Sequence, residues 1–156
     1  WASEGSRERA RQDGENVATS RESFFAESDV VSLHLRLVPA TRGIVTAEDF
    51  AAMKPGSILV NTSRAGLIRE GALLEGLNAG RPGQAAIDVF DKEPVTDPDD
   101  PLVNHPNVVA TPHIGFVTED EYDLQFSDIF DQIVAYAEGA PINMINPEVW
   151  SETPRA

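Results

Sequence analysis

Residues 57–90 read SILVNTSRAGLIREGALLEGLNAGRPGQAAIDVF, and this stretch decides the fold. Two apolar runs, Ser57–Val60 and Gln84–Phe90, each have the length of a strand buried on both faces. Between them, Glu70–Ala79 is a helical stretch that ends at Gly80, a residue suited to a helix C-terminus. Strand, helix and strand in this order predict a βαβ unit with parallel strands.

The same alternation continues on both sides of this unit. Val30–Leu35 and Asn107–Ala110 are two further compact apolar runs. Thr46–Met53 opens with a Thr-x-x-Asp capping pattern and stops before Pro55, which predicts a helix between the first two strands. Four buried strands with helices between them predict an α/β fold, a doubly wound parallel sheet of the Rossmann type.

The beginning of such a nucleotide-binding sheet is not found in this chain. A Gly-x-Gly-x-x-Gly turn is absent, and the nearest segment in composition, Gly76–Gly80, lies within and at the end of a helix. Asn16–Thr19 is predicted to be a short third strand, Trp1 the tail of the second, and residues 4–13 at most a solvated helix. We therefore expect upstream sequence to carry the first strands and the glycine-rich turn.

The C-terminal region contains the longest predicted helix, Thr118–Glu138. It opens with a Thr118-x-x-Glu121 capping box, carries an apolar stripe that we expect to pack on a core, and ends at Gly139. The predicted domain organisation is a partial dinucleotide-binding domain over residues 1–138 and a tail over residues 139–156 that returns to a substrate domain.

Composition excludes several classes of function. The chain has 156 residues and a formal net charge of −14, which makes nucleic acid and anionic membranes poor partners. It has no Cys, so disulfides and thiolate chemistry are excluded and a reducing, cytoplasmic compartment is favoured. Three His residues are too few and too scattered to predict a metal site.

Three polar residues stand at the ends of apolar strands. They are Arg64 in Asn-Thr-Ser-Arg-Ala-Gly, Glu93 in Asp-Val-Phe-Asp-Lys-Glu-Pro, and His113 in Thr-Pro-His-Ile-Gly. A guanidinium matches a carboxylate bidentately, and an imidazole exchanges protons near neutral pH when a carboxylate holds its tautomer. These residue types predict an arginine that binds the substrate and a histidine that acts as a general acid and base.

In this order and with these flanking residues, the segments resemble the D-isomer-specific 2-hydroxyacid dehydrogenases, from about Ser28 to Trp150. The resemblance implies an NAD(P)-dependent oxidoreductase that transfers a hydride between nicotinamide and a small D-2-hydroxy acid or 2-keto acid, commonly as a homodimer. By resemblance, Arg64 holds the substrate carboxylate and keto oxygen. Glu93 hydrogen-bonds the imidazole of His113, which is the general acid and base. The fragment alone is expected to be inactive.

The resemblance also implies a set of cofactor-binding residues. Asp88 contacts the nicotinamide carboxamide, with a purely structural hydrogen-bonding role as the alternative. NAD is favoured as the commoner cofactor of the family, whereas Ser6, Arg7 and Arg9 leave NADP open. The whole set is His34, Leu35, Thr62, Ser63, Arg64, Asp88, His113 and Gly115.

Three residues depart from the family pattern. Arg36 replaces a usual proline, Phe116 a usual glycine and Arg69 a usual acidic residue at a helix start. Arg36 and Phe116 flank the predicted active site, so these two departures affect which substrate shape the site can accept. Two alternatives remain open at this stage: a corepressor-like regulator that binds dinucleotide without turnover, and a family member whose site is narrowed by Phe116.

Overall fold

The structure is a computed structural model that describes residues 3–150, and within them four strands form one parallel sheet. Adjacent strands are parallel throughout, in the order β1-β2-β3-β4. This confirms the predicted α/β fold with a parallel sheet. The strands are β1 Val30–Ser32, β2 Ile58–Asn61, β3 Gln84–Ile87 and β4 Val108–Ala110.

The described part of the chain, residues 3–150, also contains five α-helices. The three helices that the sequence predicts between and after the strands are confirmed as α3, α4 and α5. The helix predicted over residues 4–13 is α1, and it has no buried residue. Two short 3₁₀ turns lie at Ala65–Leu67 and Pro147–Val149. The helices are α1 Glu4–Gln12, α2 Arg21–Glu27, α3 Ala47–Ala52, α4 Ala72–Asn78 and α5 Glu119–Ala137.

The core lies on one face of the sheet. The strand register aligns Val31, Leu59 and Ala85 in one row, and all three are buried. Helices α2, α3 and α4 cover this row with the apolar residues Phe25, Phe50, Met53, Leu73 and Leu77.

Two sequence predictions about the strands are wrong. The runs were predicted to be buried on both faces, but Val30 and Val109 are 56% and 68% exposed, because the helices that pack on the described sheet all lie on its other face. Asn16–Thr19 is not a strand; it is irregular chain between α1 and α2. Within residues 3–150 this segment has no ladder partner, and a strand requires one. The predicted role of Trp1 lies outside the described residues.

The chain divides into two compact units, Trp1–Gly115 and Phe116–Ala156. The first contains the sheet and α1–α4. The second contains α5, which begins at the Thr118 cap and has no buried residue, so its packing on a core stays a prediction. The predicted boundary between residues 138 and 139 also stays a prediction. Among the described residues, no helix is long and apolar enough to cross a membrane.

An ion pair fastens α2 to α3. Asp49, 8% exposed, accepts hydrogen bonds from the Arg21 guanidinium, with Nε at 2.7 Å, and from the backbone N–H of Thr46 at 2.7 Å. Arg21 also donates to the carbonyl of Ile44. One guanidinium therefore connects two helices and the loop that precedes the second.

We expect Arg21→Met to lower the free energy of unfolding by about 2–3 kcal/mol, because it leaves a buried carboxylate without its cation. Lys54→Met is the matched control: Lys54 pairs with Asp29, whose side chain is 85% exposed, and its loss should cost less than about 1 kcal/mol. Urea denaturation measures both. Equal losses in the two variants would contradict the role of the Asp49 pair.

Candidate active site

Arg64 stands on a turn that begins at the end of β2. The buried side chain of Asn61 shapes this turn: its Nδ2 donates to the carbonyl of Arg64 at 3.1 Å and its Oδ1 accepts from the N–H of Ser63 at 3.1 Å. Ser63 Oγ donates to the carbonyl of Leu35 at 3.0 Å, which ties the turn to the loop after β1. Arg64 itself is exposed, and its Nη1 donates to the carbonyl of Ser63 at 2.6 Å.

Glu93 and His113 form a hydrogen-bonded pair. The Nδ1 of His113 lies 2.7 Å from Oε2 of Glu93, and the other carboxylate oxygen accepts from the backbone N–H of Phe90 at 2.9 Å. The hydrogen bond from His113 lowers the pKa of Glu93, with further contributions from the Phe90 amide and the charges of His113 and Arg64. Glu93 is therefore held as a carboxylate, and Nε2 is the imidazole nitrogen that Glu93 does not engage.

Asp88 fixes the loop that carries His113. It follows β3, is 3% exposed, and accepts hydrogen bonds from Thr111 Oγ1 and from the N–H groups of Ile114 and Gly115 at 2.9 and 2.8 Å. Burial raises the pKa of Asp88, but these three hydrogen bonds outweigh it and the pKa is lowered. His113 has φ of 55°, a left-handed conformation that costs energy for a non-glycine residue. The Asp88 contacts on either side of His113 hold the loop in this shape.

Arg64, Glu93 and His113 border one cavity of about 320 Å³. They come from three separate loops, after β2, β3 and β4, and the C-terminal ends of parallel strands bring these loops together. The three residues that the sequence predicts as catalytic are thus neighbours. The cavity is lined by Leu37, Arg42, Arg64, Ala65, Gly66, Val89, Phe90, Asp91, Glu93 and His113.

The residues predicted to bind a cofactor occupy the same edge of the sheet. His34 and Leu35 follow β1. Nε2 of His34 and Oγ of Ser32 form a hydrogen bond of 2.8 Å. Thr62 and Ser63 follow β2, and Ser63 Oγ donates a hydrogen bond to Leu35 in the loop after β1. Asp88, His113 and Gly115 lie together at the ends of β3 and β4.

Sequence reasoning missed residues that position this site. The side chain of Asn61 hydrogen-bonds to the turn that carries Arg64. The side chain of Thr111 hydrogen-bonds to Asp88, which holds the loop that carries His113. Asn61 is a polar residue at the end of an apolar run, and this position in the sequence could have indicated its role. Arg42 also lines the cavity, but an arginine in a polar loop gives no such signal.

The fold and the site together define a class: α/β proteins that bind a ligand at the carboxyl edge of a parallel sheet, with a carboxylate–histidine pair and an arginine beside it. The family model for the D-isomer specific 2-hydroxyacid dehydrogenase NAD binding domain matches residues 1–115. The chain belongs to the D-isomer specific 2-hydroxyacid dehydrogenase family, and residues 1–115 correspond to its NAD-binding domain.

Curated relatives agree with this assignment. The chain is 37% identical to the D-3-phosphoglycerate dehydrogenase of Bacillus subtilis over 86% of its length and 25% of the relative's. It is 40% identical to the glyoxylate/hydroxypyruvate reductase B of Pectobacterium atrosepticum over 82% of its length and 40% of the relative's. The chain therefore spans about a quarter to two fifths of the curated relatives it matches.

Solved structures give the same result for the fold. A putative D-3-phosphoglycerate dehydrogenase from Ralstonia solanacearum matches with a TM-score of 0.83 and 45% identity, over 94% of this chain and 43% of that one. An NAD-complexed D-isomer specific 2-hydroxyacid dehydrogenase from Lactobacillus delbrueckii matches with a TM-score of 0.60 and 28% identity, over 78% of this chain and 40% of that one.

We expect the contribution of Asp88 to stability to depend on pH. Because its pKa is lowered on folding, the contribution is complete above the ordinary aspartate pKa and is lost as pH falls through the lowered value. The difference in unfolding free energy between wild type and Asp88→Asn should therefore be constant from pH 7 to about pH 5 and shrink as the pH falls further, to about pH 2. Urea denaturation across this range measures it, and a difference that stays constant would contradict the assignment.

Proposed function

We propose that the protein containing this chain is an NAD-dependent oxidoreductase that interconverts a small 2-keto acid and the corresponding D-2-hydroxy acid. The observation that carries the proposal is the Glu93–His113 pair, with Nδ1 and Oε2 at 2.7 Å, beside Arg64 in one cavity. The relatives described above are dehydrogenases and reductases. No observation favours the regulator considered at the outset.

Arg64 binds the substrate carboxylate in this proposal. Its backbone is fixed by Asn61, and one of its donors is used by the carbonyl of Ser63. A guanidinium has five N–H donors in a fixed fork, so the remaining ones are available for a carboxylate and an adjacent keto oxygen. A planar, bidentate contact orients the keto carbon as well as binding the acid.

His113 moves the proton. Glu93 engages Nδ1, so Nε2 is the nitrogen that delivers a proton to the developing alkoxide during reduction and accepts the hydroxyl proton during oxidation. The bound nicotinamide cofactor supplies or accepts the hydride. Glu93 orients the imidazole and balances the charge that the ring acquires.

The residues at the sheet edge fit the nicotinamide end of NAD. Each oxygen of a carboxylate accepts about two hydrogen bonds, and Asp88 Oδ2 receives one, from Gly115. Asp88 thus retains acceptor capacity for a carboxamide N–H. Gly115 has to be small here, since an added Cβ would lie 2.9 Å from Asp88 Oδ2. His34, Leu35, Thr62 and Ser63 border the cofactor in the same proposal, largely through backbone groups.

NAD is the proposed cofactor rather than NADP. The two arginines that left NADP open lie in α1, where Arg7 contacts Glu4 and Arg9 donates to Ser6 Oγ at 3.1 Å. A 2′-phosphate would have to compete with these neighbours. Direct comparison of the two reduced cofactors tests this part of the proposal.

Three further parts of the proposal concern the whole protein. We infer that it is a cytoplasmic homodimer, with residues 139–156 returning to a substrate domain. The inference rests on the family resemblance and on the absence of Cys from the chain. Light scattering coupled to size-exclusion chromatography tests the dimer.

The test of function is oxidation of NADH and NADPH by the complete protein with glyoxylate, hydroxypyruvate, pyruvate and bulkier keto acids. Turnover with NADH and at least one keto acid is the expected result. Tight dinucleotide binding without turnover of any keto acid would contradict the proposal and return the regulator to consideration.

A further inference from the structure

Thr41 holds the loop after β1 through its side-chain hydroxyl. Its Oγ1 donates a hydrogen bond to the carbonyl of Arg36 at 2.6 Å and accepts one from the backbone N–H of Val38 at 2.9 Å. The backbone N–H of Thr41 closes the same turn by donating to the carbonyl of Val38 at 2.9 Å. One hydroxyl therefore bonds the residues on both sides of Leu37 and fixes the backbone at that position.

Leu37 packs against the turn that carries Arg64. A Cβ added at Gly66, two residues after Arg64, would lie 3.2 Å from Cδ2 and 3.4 Å from Cδ1 of Leu37. Both methyl groups of Leu37 thus pack over a residue that has no side chain. Leu37 is half-buried, packs against the hydrophobic core and lines the cavity together with Arg64. It therefore lies between the core and the Arg64 turn.

The loop that Thr41 holds makes two contacts with the Arg64 turn on its C-terminal side. The backbone N–H of Gly43 donates to the carbonyl of Gly66 at 2.8 Å, and Leu37 covers Gly66. Both contacts come from within four residues of Thr41. Support for the turn beyond Arg64 thus depends on the shape of this loop.

The position of the Arg64 guanidinium follows the backbone of its turn. Nη1 of Arg64 donates to the carbonyl of Ser63, the preceding residue, at 2.6 Å. A closely packed structure transmits small shifts from one residue to the next. Because a misplacement of about 1 Å can cost about 100-fold in rate, support of this turn bears directly on how the substrate is held.

We propose that Thr41 is a positioning residue for substrate binding. Its hydroxyl fixes Leu37, and Leu37 holds the Arg64 turn where the guanidinium meets the substrate carboxylate. Thr41 itself does not line the cavity, so it acts through these neighbours and not by contact with the substrate. This inference rests on the proposed function, since it concerns the substrate contact made by Arg64.

The test measures reduction of glyoxylate by NADH in the complete protein, with wild type, Thr41→Val and Thr41→Ser. Glyoxylate is the smallest 2-keto acid and has a hydrogen in place of a side group, so its binding depends on its carboxylate and keto oxygen. We expect Thr41→Val to raise the KM for glyoxylate about five- to tenfold, which corresponds to the loss of one hydrogen bond. Thr41→Ser keeps the hydroxyl and should stay within about threefold of wild type.

Two further variants are matched to this test. Thr19→Val makes the same change at an exposed threonine, whose Oγ1 lies 3.3 Å from Oγ of Ser23, and should leave the KM within about twofold. In a Leu37→Ala background, Thr41→Val should raise the KM by less than about twofold more, because the side chain through which Thr41 acts has already been removed.

A purely structural role for Thr41 would give a different result. It would lower the fraction of folded protein, and hence kcat, while the KM for glyoxylate stayed at the wild-type value. Fluorescence titration with NADH gives the number of functional sites, and its dissociation constant should stay within about twofold in Thr41→Val. A fall in kcat with an unchanged KM for glyoxylate would overturn the positioning role.

The remaining outcomes separate this inference from the proposed function. A raised KM for hydroxypyruvate but not for glyoxylate would show that Leu37 acts on the side group of the substrate, and would overturn its support of Arg64. Losses in Thr41→Val and Leu37→Ala that multiply in the double variant would overturn the route through Leu37. Failure of wild type to reduce either keto acid would instead count against the proposed function.

Discussion

Replacing His113 with Asn should lower kcat about 10²- to 10⁴-fold, which is the range expected for loss of a general acid and base. The pair with Glu93, at 2.7 Å, is the reason: no other titratable imidazole lines the cavity within the described residues. Asn is the informative substitution because it tolerates the left-handed conformation that His113 adopts at φ 55°. A fall in activity would then report the missing proton carrier rather than a distorted loop.

The control for His113→Asn is His105→Asn, which makes the same chemical change outside the cavity. The His105 ring accepts a hydrogen bond from the Asn107 N–H at 3.1 Å, a local contact in a loop. Its activity should stay within about twofold of wild type. Dinucleotide affinity, measured by fluorescence, should stay at the wild-type value in His105→Asn, and in His113→Asn it should fall far less than kcat. Wild-type kcat in His113→Asn would remove the histidine from the mechanism.

Replacing Asp88 with Asn should have the largest effect on stability, lowering the free energy of unfolding by about 2–4 kcal/mol. The carboxylate accepts three hydrogen bonds in a site that is 3% exposed. The amide places a donor where one acceptor stood, so one N–H or O–H of the loop is left facing another donor. We also expect kcat to fall, since the loop held by Asp88 carries His113.

Two comparisons test the Asp88 explanation by urea denaturation. Thr111→Val removes one of the three hydrogen bonds and should cost less, about 1 kcal/mol. Asp99→Asn removes the same charge from an exposed loop and should change the unfolding free energy by no more than about 0.5 kcal/mol. A loss in Asp88→Asn no larger than in Asp99→Asn would show that the buried carboxylate does not organise the loop.

The parts of the fold that the sequence predicts are those with a local signal. The four apolar runs became four parallel strands, and the helix that begins after Thr46 has its N-terminal amide bound by Asp49 at 2.7 Å. Helix α2 was missed because its capping box pairs Ser20 with Ser23, whose short side chain does not match the Ser/Thr-x-x-Glu pattern.

The errors concern properties that depend on neighbours. Asn16–Thr19 has the composition of a short strand, but strand formation requires a ladder partner, and none contacts it in the described part of the chain. Val30 and Val109 are apolar, yet their exposure depends on which face the helices cover. Neither fact can be obtained from the local sequence.

In the candidate site, too, the residues with a local sequence signal were predicted and those that depend on neighbouring loops were not. Arg64, Glu93 and His113 stand in recognisable segments, and the structure brings all three to one cavity. The place of Arg42 depends on backbone hydrogen bonds between two loops and on a glycine 24 positions further on, Gly66, so no local pattern indicates it. The supporting residues Asn61 and Thr111 act through the geometry of turns, which the sequence also leaves open.

The most direct test of hydride transfer at this site is to reduce a keto acid with the complete protein and NADH that carries deuterium at both positions of nicotinamide C4. The product is analysed by mass spectrometry and chiral chromatography. We predict a single enantiomer, the D-2-hydroxy acid, with one deuterium at C2, and loss of this product in His113→Asn. An unlabelled product, an L-hydroxy acid, or label transfer that persists unchanged in His113→Asn would contradict the proposed reaction.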